Sequence, residues 1–360
     1  MPEPSSLRQN VPLAPLTTLG VGGPARWFAE ASSTHALREL LRWRGEQSLD
    51  LFILGGGSNL VVADEGFDGL VLRVALRGLE FGSYGGRAIV TVAAGEPWDG
   101  FVAACVDRGL AGVECLSGIP GSVGAAPIQN IGAYGEDVAE TIVGVDVVDV
   151  ASGAPRRLSK SECGFSYRDS VFKREAAGRF VVTAVSFALR EDGVPAVRYP
   201  ELARELERRG AGDPTLADVR SAVLAIRAAK AMVIDPEEPD SRSAGSFFTN
   251  PVVDAADLPR IEALMESHAG AGKAAAMPRY AAGDGRVKLP AAWLIEAAGF
   301  RKGESRGAAR ISNRHALALV NGGDASAAEI TALAREIRDR VEALFGVRLV
   351  NEPLFVGMSF

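Results

Sequence analysis

Apolar residues recur at helical spacing over residues 34–46, where Leu37, Leu40 and Leu41 form one face and Ser33 or Thr34 supplies an N-cap. A short apolar strand is predicted over residues 51–54 and runs into three glycines, and residues 60–62 and 69–74 read as further strands. The next segments predict a strand over 88–93, a helix from Trp98 to Arg108 stopped by Gly109, and strands over 142–150 and 180–189. Helices and strands intermix without strict βαβ order, so the pattern predicts an α+β fold rather than a doubly wound sheet. Beyond residue 190 helices dominate, over 201–209, 215–230, 258–268, 291–298 and 327–345. Thr215 and Asp218 make a capping box for the second of these, while Ser326 caps the last and Gly346 stops it. Residues 235–240 form an acidic, proline-broken loop, and residues 347–356 close the chain as a strand. Residues 1–16, with prolines at 2, 4, 12 and 15, read as a loose arm. The change of character places a domain boundary between residues 190 and 215.

At 360 residues the chain is long enough for two or three domains. A net charge of −6 with no recurring basic stripe argues against a nucleic-acid partner. Cys105, Cys115 and Cys163 form no C-x-x-C pair and read as reduced thiols, and the three histidines show no metal-ligand spacing, so no bound metal is expected. No apolar window approaches a membrane span and no apolar leader opens the chain, which predicts a cytoplasmic protein with no membrane association. No heptad or repeat calls for assembly, so a monomer is expected.

Two glycine-rich segments carry the first chemical signal. Ile53-Leu-Gly-Gly-Gly-Ser-Asn59 is a strand leading into a turn without Cβ atoms, where a phosphate can approach the backbone N–H groups; the alternative is a tight structural turn. Gly118 to Gly135 carries five glycines and no charge before Gly135, so it lies against core or ligand. A pair of such loops suits a long diphosphate-bearing cofactor. Gly20-Val-Gly-Gly-Pro-Ala25 fits G-x-G-x-x-A formally, but Pro24 and the extended segment after it argue against a Rossmann dinucleotide site.

Further segments complete an ordered set: Thr17 to Ala25, the two glycine loops, Phe165-Ser-Tyr-Arg-Asp-Ser170, Ser243-Ala-Gly-Ser-Phe-Phe-Thr-Asn-Pro251, Val287 to Ile295, and Asn351-Glu-Pro353. Together, over about residues 15–357, they resemble the UDP-N-acetylenolpyruvoylglucosamine reductase (MurB) family, of its first type. The resemblance implies a two-part FAD-binding region of the vanillyl-alcohol-oxidase (PCMH) type over residues 17–195, in α+β subdomains of about 17–75 and 76–195. A C-terminal α+β substrate-binding domain would cover residues 215–357. It implies non-covalent FAD, NADPH as co-substrate, and reduction of UDP-N-acetylglucosamine enolpyruvate to UDP-N-acetylmuramate in peptidoglycan precursor synthesis. The flavin would be held by Leu54, Gly55, Gly56, Gly57, Ser58 and Asn59 and, in the second loop, by Ile119, Pro120, Gly121, Ser122, Gly124, Ala125, Gln129, Asn130, Gly132, Ala133 and Tyr134.

The same resemblance gives Arg168, Ser246 and Glu352 catalytic roles, and Tyr167, Tyr199, Lys230 and Asn250 substrate-binding roles. A hydride added to the terminal enolpyruvyl carbon builds charge on the α-carbon and its carboxylate. A guanidinium stabilises that charge and a hydroxyl quenches it with a proton. Without the family, Arg168 reads as a partner of Asp169, Ser246 as a turn serine and Glu352 as a solvated carboxylate. His315 stands near where the family carries a glutamine close to the diphosphate. The competing readings are another FAD-dependent oxidoreductase on the same scaffold and a non-catalytic nucleotide-binding module.

Overall fold

The computed structural model describes residue 4 and residues 6–360, and its chain forms two compact units. The first is built from the described residues up to 11 with 24–57 and 67–233, the second from residues 12–23, 58–66 and 234–360.

Beside a two-stranded sheet of Gly132–Ala133 with Glu136–Asp137, the first unit carries two large sheets. In one, strands Arg8–Pro12, Pro24–Ala31, Phe67–Val74 and Asp50–Leu54 lie in that spatial order, the last three parallel, and helix Thr34–Glu46 makes the crossover. Ser33 caps this helix through Ala36 N–H at 3.1 Å, and Leu37, Leu40 and Leu41 are buried, as their spacing predicts. Leu70, Val71 and Leu72 of the central strand are all fully buried, as a parallel strand covered on both faces requires. The second sheet is antiparallel, in the order Pro155–Ser159, Ile142–Asp149, Phe180–Leu189, Arg87–Ala93, Leu79–Tyr84. Against it packs helix Trp98–Val106, with Trp98, Phe101 and Phe187 in mutual ring contact.

Helices Pro200–Arg208 and Leu216–Ala229 also belong to this unit. Leu202, Leu206, Val219 and Val223 are buried in one cluster with Cys115. The division between units therefore falls at residue 233, not between 190 and 215, because these helices find their apolar partners in the N-terminal part of the chain. The loose arm expected over residues 1–16 is corrected too. Residues 1–3 and 5 lie outside the described residues, but Arg8–Pro12 is an edge strand, where proline is tolerated, and Ala14–Leu16 is a 3-10 turn.

The second unit pairs strands Ser243–Ser246, Ala318–Asn321, Ala309–Ile311 and Ser305–Arg306 in that order. Helix Ala327–Phe345 is capped as its sequence predicts, by a Ser326/Glu329 capping box and an αL Gly346. Asp64 adds a charge at its N-terminus, accepting from the N–H groups of Ala327 (2.7 Å) and Ala328 (3.0 Å). Ile330, Leu333, Ile337 and Val341 share a core with Phe247, Leu294 and Phe345. Of the strand expected over residues 347–356, only Leu354–Val356 forms, parallel to Leu60–Val62; Pro353 lacks the N–H that a ladder needs. Among the described residues no helix is long and apolar enough to cross a membrane.

Candidate functional site

In the first unit the two glycine segments meet backbone to backbone. A Cβ on Gly56 would lie 2.5 Å from Gly121 Cα, and one on Gly55 would lie 2.7 Å from Ser122 Oγ. Gly57 and Gly121 take positive φ values of +68° and +117°, which a side chain rarely tolerates. Leu54 is buried at the end of its strand, and Gly124 packs so close to Ala94 that a Cβ would meet it at 2.6 Å. The second loop is fixed from behind. Gly121 C=O accepts from Trp98 N–H at 3.0 Å, and Gly118 N–H donates to Asp99 at 2.6 Å. Ile119, Pro120, Gly121, Ser122, Gly124 and Ala125 are thus held in one stretch of constrained backbone. Ser58 and Asn59, expected with the first loop, belong to the second unit.

Arg168 sits in a two-residue turn closed by the Ser166–Asp169 bridge, with its own φ at +54°. For a long side chain that region is costly, and such strain concentrates at functional sites. Its guanidinium donates to Asn130 C=O at 3.2 Å, to Gly132 C=O, and to the Asp137 carboxylate at 3.2 Å, and it lies 5.2 Å from the Tyr167 ring. Asp169 instead pairs with Arg174 at 3.0 Å, so the Arg168–Asp169 pairing that sequence alone suggests does not form. Gly132 has no room for a side chain: a Cβ would meet the Asp137 carboxylate and Arg168 Nη1. Asn130, also at positive φ (+46°), accepts from Ala139 N–H and donates to Ser166 C=O. The loop carrying Gln129, Asn130, Gly132, Ala133 and Tyr134 is therefore braced by the turn that carries Arg168.

Tyr134 marks a second cluster. Its ring meets Tyr199 edge-on at 5.6 Å and lies 6.0 Å from Lys230 Nζ, which pairs with Glu201 at 2.7 Å. Burial pushes the Tyr134 hydroxyl up to about 12.

In the second unit Ser246 ends its strand opposite Ala318, after a bulge that gives Gly245 a φ of +74°. The N–H of Glu352 donates to Phe247 C=O at 2.9 Å, so Ser246 and Glu352 stand on neighbouring backbone. Asn59 Nδ2 donates to the Glu352 carbonyl at 3.1 Å. Asn250 uses its carbonyl oxygen to accept Ala291 N–H (2.9 Å) at the start of helix Ala291–Ala297, a capping role in addition to the expected substrate contact. His315 lies in the turn before Ala318, its N–H donating to Ser312 Oγ at 3.3 Å.

Arg227 escaped sequence reasoning. Only 7 % exposed, it donates to Met232 C=O at 2.8 Å, and its Nε has no hydrogen-bond partner among the described residues. It lies directly behind Gly118, one helical turn before Lys230. Burial lowers its affinity for the proton, partly offset by Tyr134 and Asp99. Its sequence signal was its spacing: Arg227 and Lys230 fall three apart on one helix face. Burial alone would raise the Asp99 carboxyl, but Arg220 at 2.6 Å and Gly118 N–H outweigh it and hold it low.

Residues 236–356 match the C-terminal domain of UDP-N-acetylenolpyruvoylglucosamine reductase, and residues 25–159 match an FAD-binding domain family. The chain is 50% identical over 357 residues to the UDP-N-acetylenolpyruvoylglucosamine reductase of Thermobifida fusca, covering 99% of each chain. It is 46% identical over 359 residues to that of Streptomyces coelicolor, covering 99% of this chain and 92% of the relative. The crystal structure of the Thermus caldophilus reductase superposes with a TM-score of 0.64 at 28% identity, covering 97% of this chain and 99% of that one.

Proposed function

The chain belongs to the UDP-N-acetylenolpyruvoylglucosamine reductase family, and from that premise we propose that it reduces UDP-N-acetylglucosamine enolpyruvate to UDP-N-acetylmuramate with NADPH. It is an FAD-dependent oxidoreductase of peptidoglycan precursor synthesis. We read it as acting in the cytoplasm as a monomer. The observation that carries the detailed reading is the placement of Ser246 and Glu352 on neighbouring backbone of one unit, joined through Phe247.

The residues fit a dinucleotide flavin. The abutting backbones of Gly56 and Gly121 leave no space for side chains between the loops, and Arg227 brings a buried positive charge with an unsatisfied Nε behind the second loop. A buried guanidinium without a carboxylate partner is costly, and an anionic ligand offsets that cost. Leu54 to Gly57 and Ile119 to Tyr134 would hold the cofactor, with Ser58 and Asn59 adding donors. When bound, FAD supplies the hydride that it takes from NADPH.

The chain's own residues do the rest. Arg168 holds the enolpyruvyl carboxylate by charge-assisted hydrogen bonds, exchanging its contact with Asp137 for the substrate. Negative charge that builds at the α-carbon spreads onto that carboxylate, where the guanidinium stabilises it more than in the ground state. Ser246 gives its hydroxyl proton to the α-carbon, forming the new C–H bond. Glu352 orients that hydroxyl and relays a solvent proton back to it. Lys230 and Tyr199 bind the nucleotide diphosphate, with Tyr167 and Asn250 adding contacts. Mass spectrometry of the product after incubation with NADPH tests the reading: a nucleotide sugar heavier by two hydrogen atoms supports it, and unchanged substrate in the presence of reduced enzyme contradicts it.

A further inference from the structure

Residues 191–199 run without regular structure from the strand Phe180–Leu189 to the helix that opens at Pro200, and they end on Tyr199. Tyr199 is the N-cap of that helix, its C=O accepting Ala203 N–H at 3.0 Å. The run that leads to it is held by two carboxylates and a thiol that the core swallows almost completely: Glu114 and Cys115 are fully buried and Glu136 is 4 % exposed. Glu114 accepts from Gly112 N–H (2.6 Å) and Val113 N–H (3.0 Å) with one oxygen, and from Ala196 N–H (3.2 Å) with the other. Cys115 Sγ donates to the Ala196 carbonyl at 3.7 Å, so both polar groups of Ala196 are held by the same short turn. Glu136 accepts Cys115 N–H at 3.0 Å and follows directly on Tyr134 and Gly135. Gly135 lies against Arg198, where a Cβ would approach Arg198 Cβ to 3.0 Å, and Arg198 donates to Glu140 at 2.9 Å. The proposed function gives none of these groups a task.

We propose that Glu114, Cys115 and a protonated Glu136 form a buried latch that positions Tyr199 against Tyr134, and that loss of the Glu136 proton releases it. The latch concerns substrate binding only insofar as Tyr199 contacts substrate, which is the reading given above. Two carboxylates buried around one turn cannot both ionise cheaply when the donors are four backbone N–H groups and a thiol. The groups facing Glu136 are Glu114, Cys115, Glu140 and Arg198. Burial, reinforced by Glu114, raises its carboxyl to about 8. The Cys115 thiol, pushed up by burial and by both glutamates, keeps its single proton. While Glu136 is neutral, that S–H serves the Ala196 carbonyl. Once Glu136 ionises, the carboxylate is the stronger acceptor and takes the S–H, so Ala196 loses one of its two tethers. Glu136 is thus a positioning residue, not a catalytic one.

The test uses the full-length holoenzyme labelled with tyrosine enriched in carbon-13 at the ring δ positions. The chain has five tyrosines, and Tyr199→Phe identifies the Tyr199 resonance. The expected result is a ring-carbon shift of Tyr199 that titrates with a midpoint near 8. The KM for the nucleotide sugar should rise by up to about tenfold between pH 7 and pH 9, the limit set by the latched fraction. In Glu136→Gln, which keeps the neutral form, both should be flat. A titration that survives in Glu136→Gln, or none in the unmodified enzyme, overturns the latch. If Glu136→Gln does not fold, the infrared carbonyl stretch of a protonated carboxyl decides: its loss with the same midpoint supports the latch, and its absence at neutral pH overturns it. A Tyr199→Phe variant with unchanged KM overturns the substrate role of Tyr199 instead and leaves the ring-carbon titration of the unmodified enzyme to decide the latch.

Discussion

Replacing Gly56 by alanine should disable cofactor binding while the rest of the fold survives. Gly56 does not need glycine for its φ, since it is absent from the left-handed positions. It needs glycine for space: the added Cβ would stand 2.5 Å from Gly121 Cα, 2.8 Å from its carbonyl carbon and 3.0 Å from Ser122 N. Carbon atoms pack at about 3.5 Å or more, so the two loops must part by roughly 1 Å. All three obstructing atoms are backbone, and Gly121 is tied to Trp98 N–H at 3.0 Å, so no side chain can swing aside. Overpacking of this kind costs about 1–3 kcal/mol. If that cost falls on the holo state, FAD binds roughly 5- to 150-fold more weakly. The assay is titration of apoprotein with FAD, read by flavin absorbance, beside thermal unfolding of the apoprotein. Gly45→Ala is the control: no atom lies within 4 Å of its Cβ in the helix Thr34–Glu46, so it should stabilise by about 0.5–1 kcal/mol and leave FAD affinity unchanged. A Gly56→Ala protein with unaltered FAD affinity and unaltered stability would refute the reasoning that the loops' backbone contact shapes the cofactor site.

Ser246→Ala should leave flavin reduction by NADPH intact and slow reoxidation by substrate by about 10²–10⁴-fold in stopped-flow traces; equal retention of both half-reactions removes Ser246 from the mechanism. Asp240→Ala should cost about 3–5 kcal/mol in denaturant unfolding, because the buried carboxylate holds Arg310, Ser312 Oγ (2.8 Å) and Asn313 N–H (2.6 Å), and a loss under about 1 kcal/mol contradicts that role. For Glu136 the folded chain keeps a proton that the unfolded chain releases above 4.5, so its contribution to stability is full below 4.5 and fades as the pH rises to about 8. Glu136→Gln should therefore gain on the unmodified protein by roughly 2–5 kcal/mol between pH 4 and pH 9, and a melting-temperature difference that does not change with pH would contradict this.

Local signals were the legible ones. Ser33 with Leu37, Leu40 and Leu41, and Ser326 with Gly346, each define a helix from within one stretch of sequence, and both helices form where those residues place them. What escaped depends on partners far along the chain. Leu60–Val62 joins the second unit, where Leu354–Val356 pairs with it, and the helices Pro200–Arg208 and Leu216–Ala229 join the first because Cys115 and its neighbours bury their apolar faces. Periodicity carries no information on either choice. The glycine loops announced themselves by composition, but the 2.5 Å approach at Gly56 is a tertiary fact. The buried charges were the least visible. Glu114, Glu136, Arg227 and Asp240 look like surface residues in sequence, since only the fold reveals the backbone groups that hold three of them and the missing partner of the fourth.

The most direct test of the proposed reaction is an anaerobic stopped-flow absorbance trace of the purified holoenzyme, mixed first with NADPH and then with UDP-N-acetylglucosamine enolpyruvate. The account predicts that the flavin band bleaches with NADPH and returns when the nucleotide sugar is added. A band that bleaches and does not return would contradict the assigned substrate.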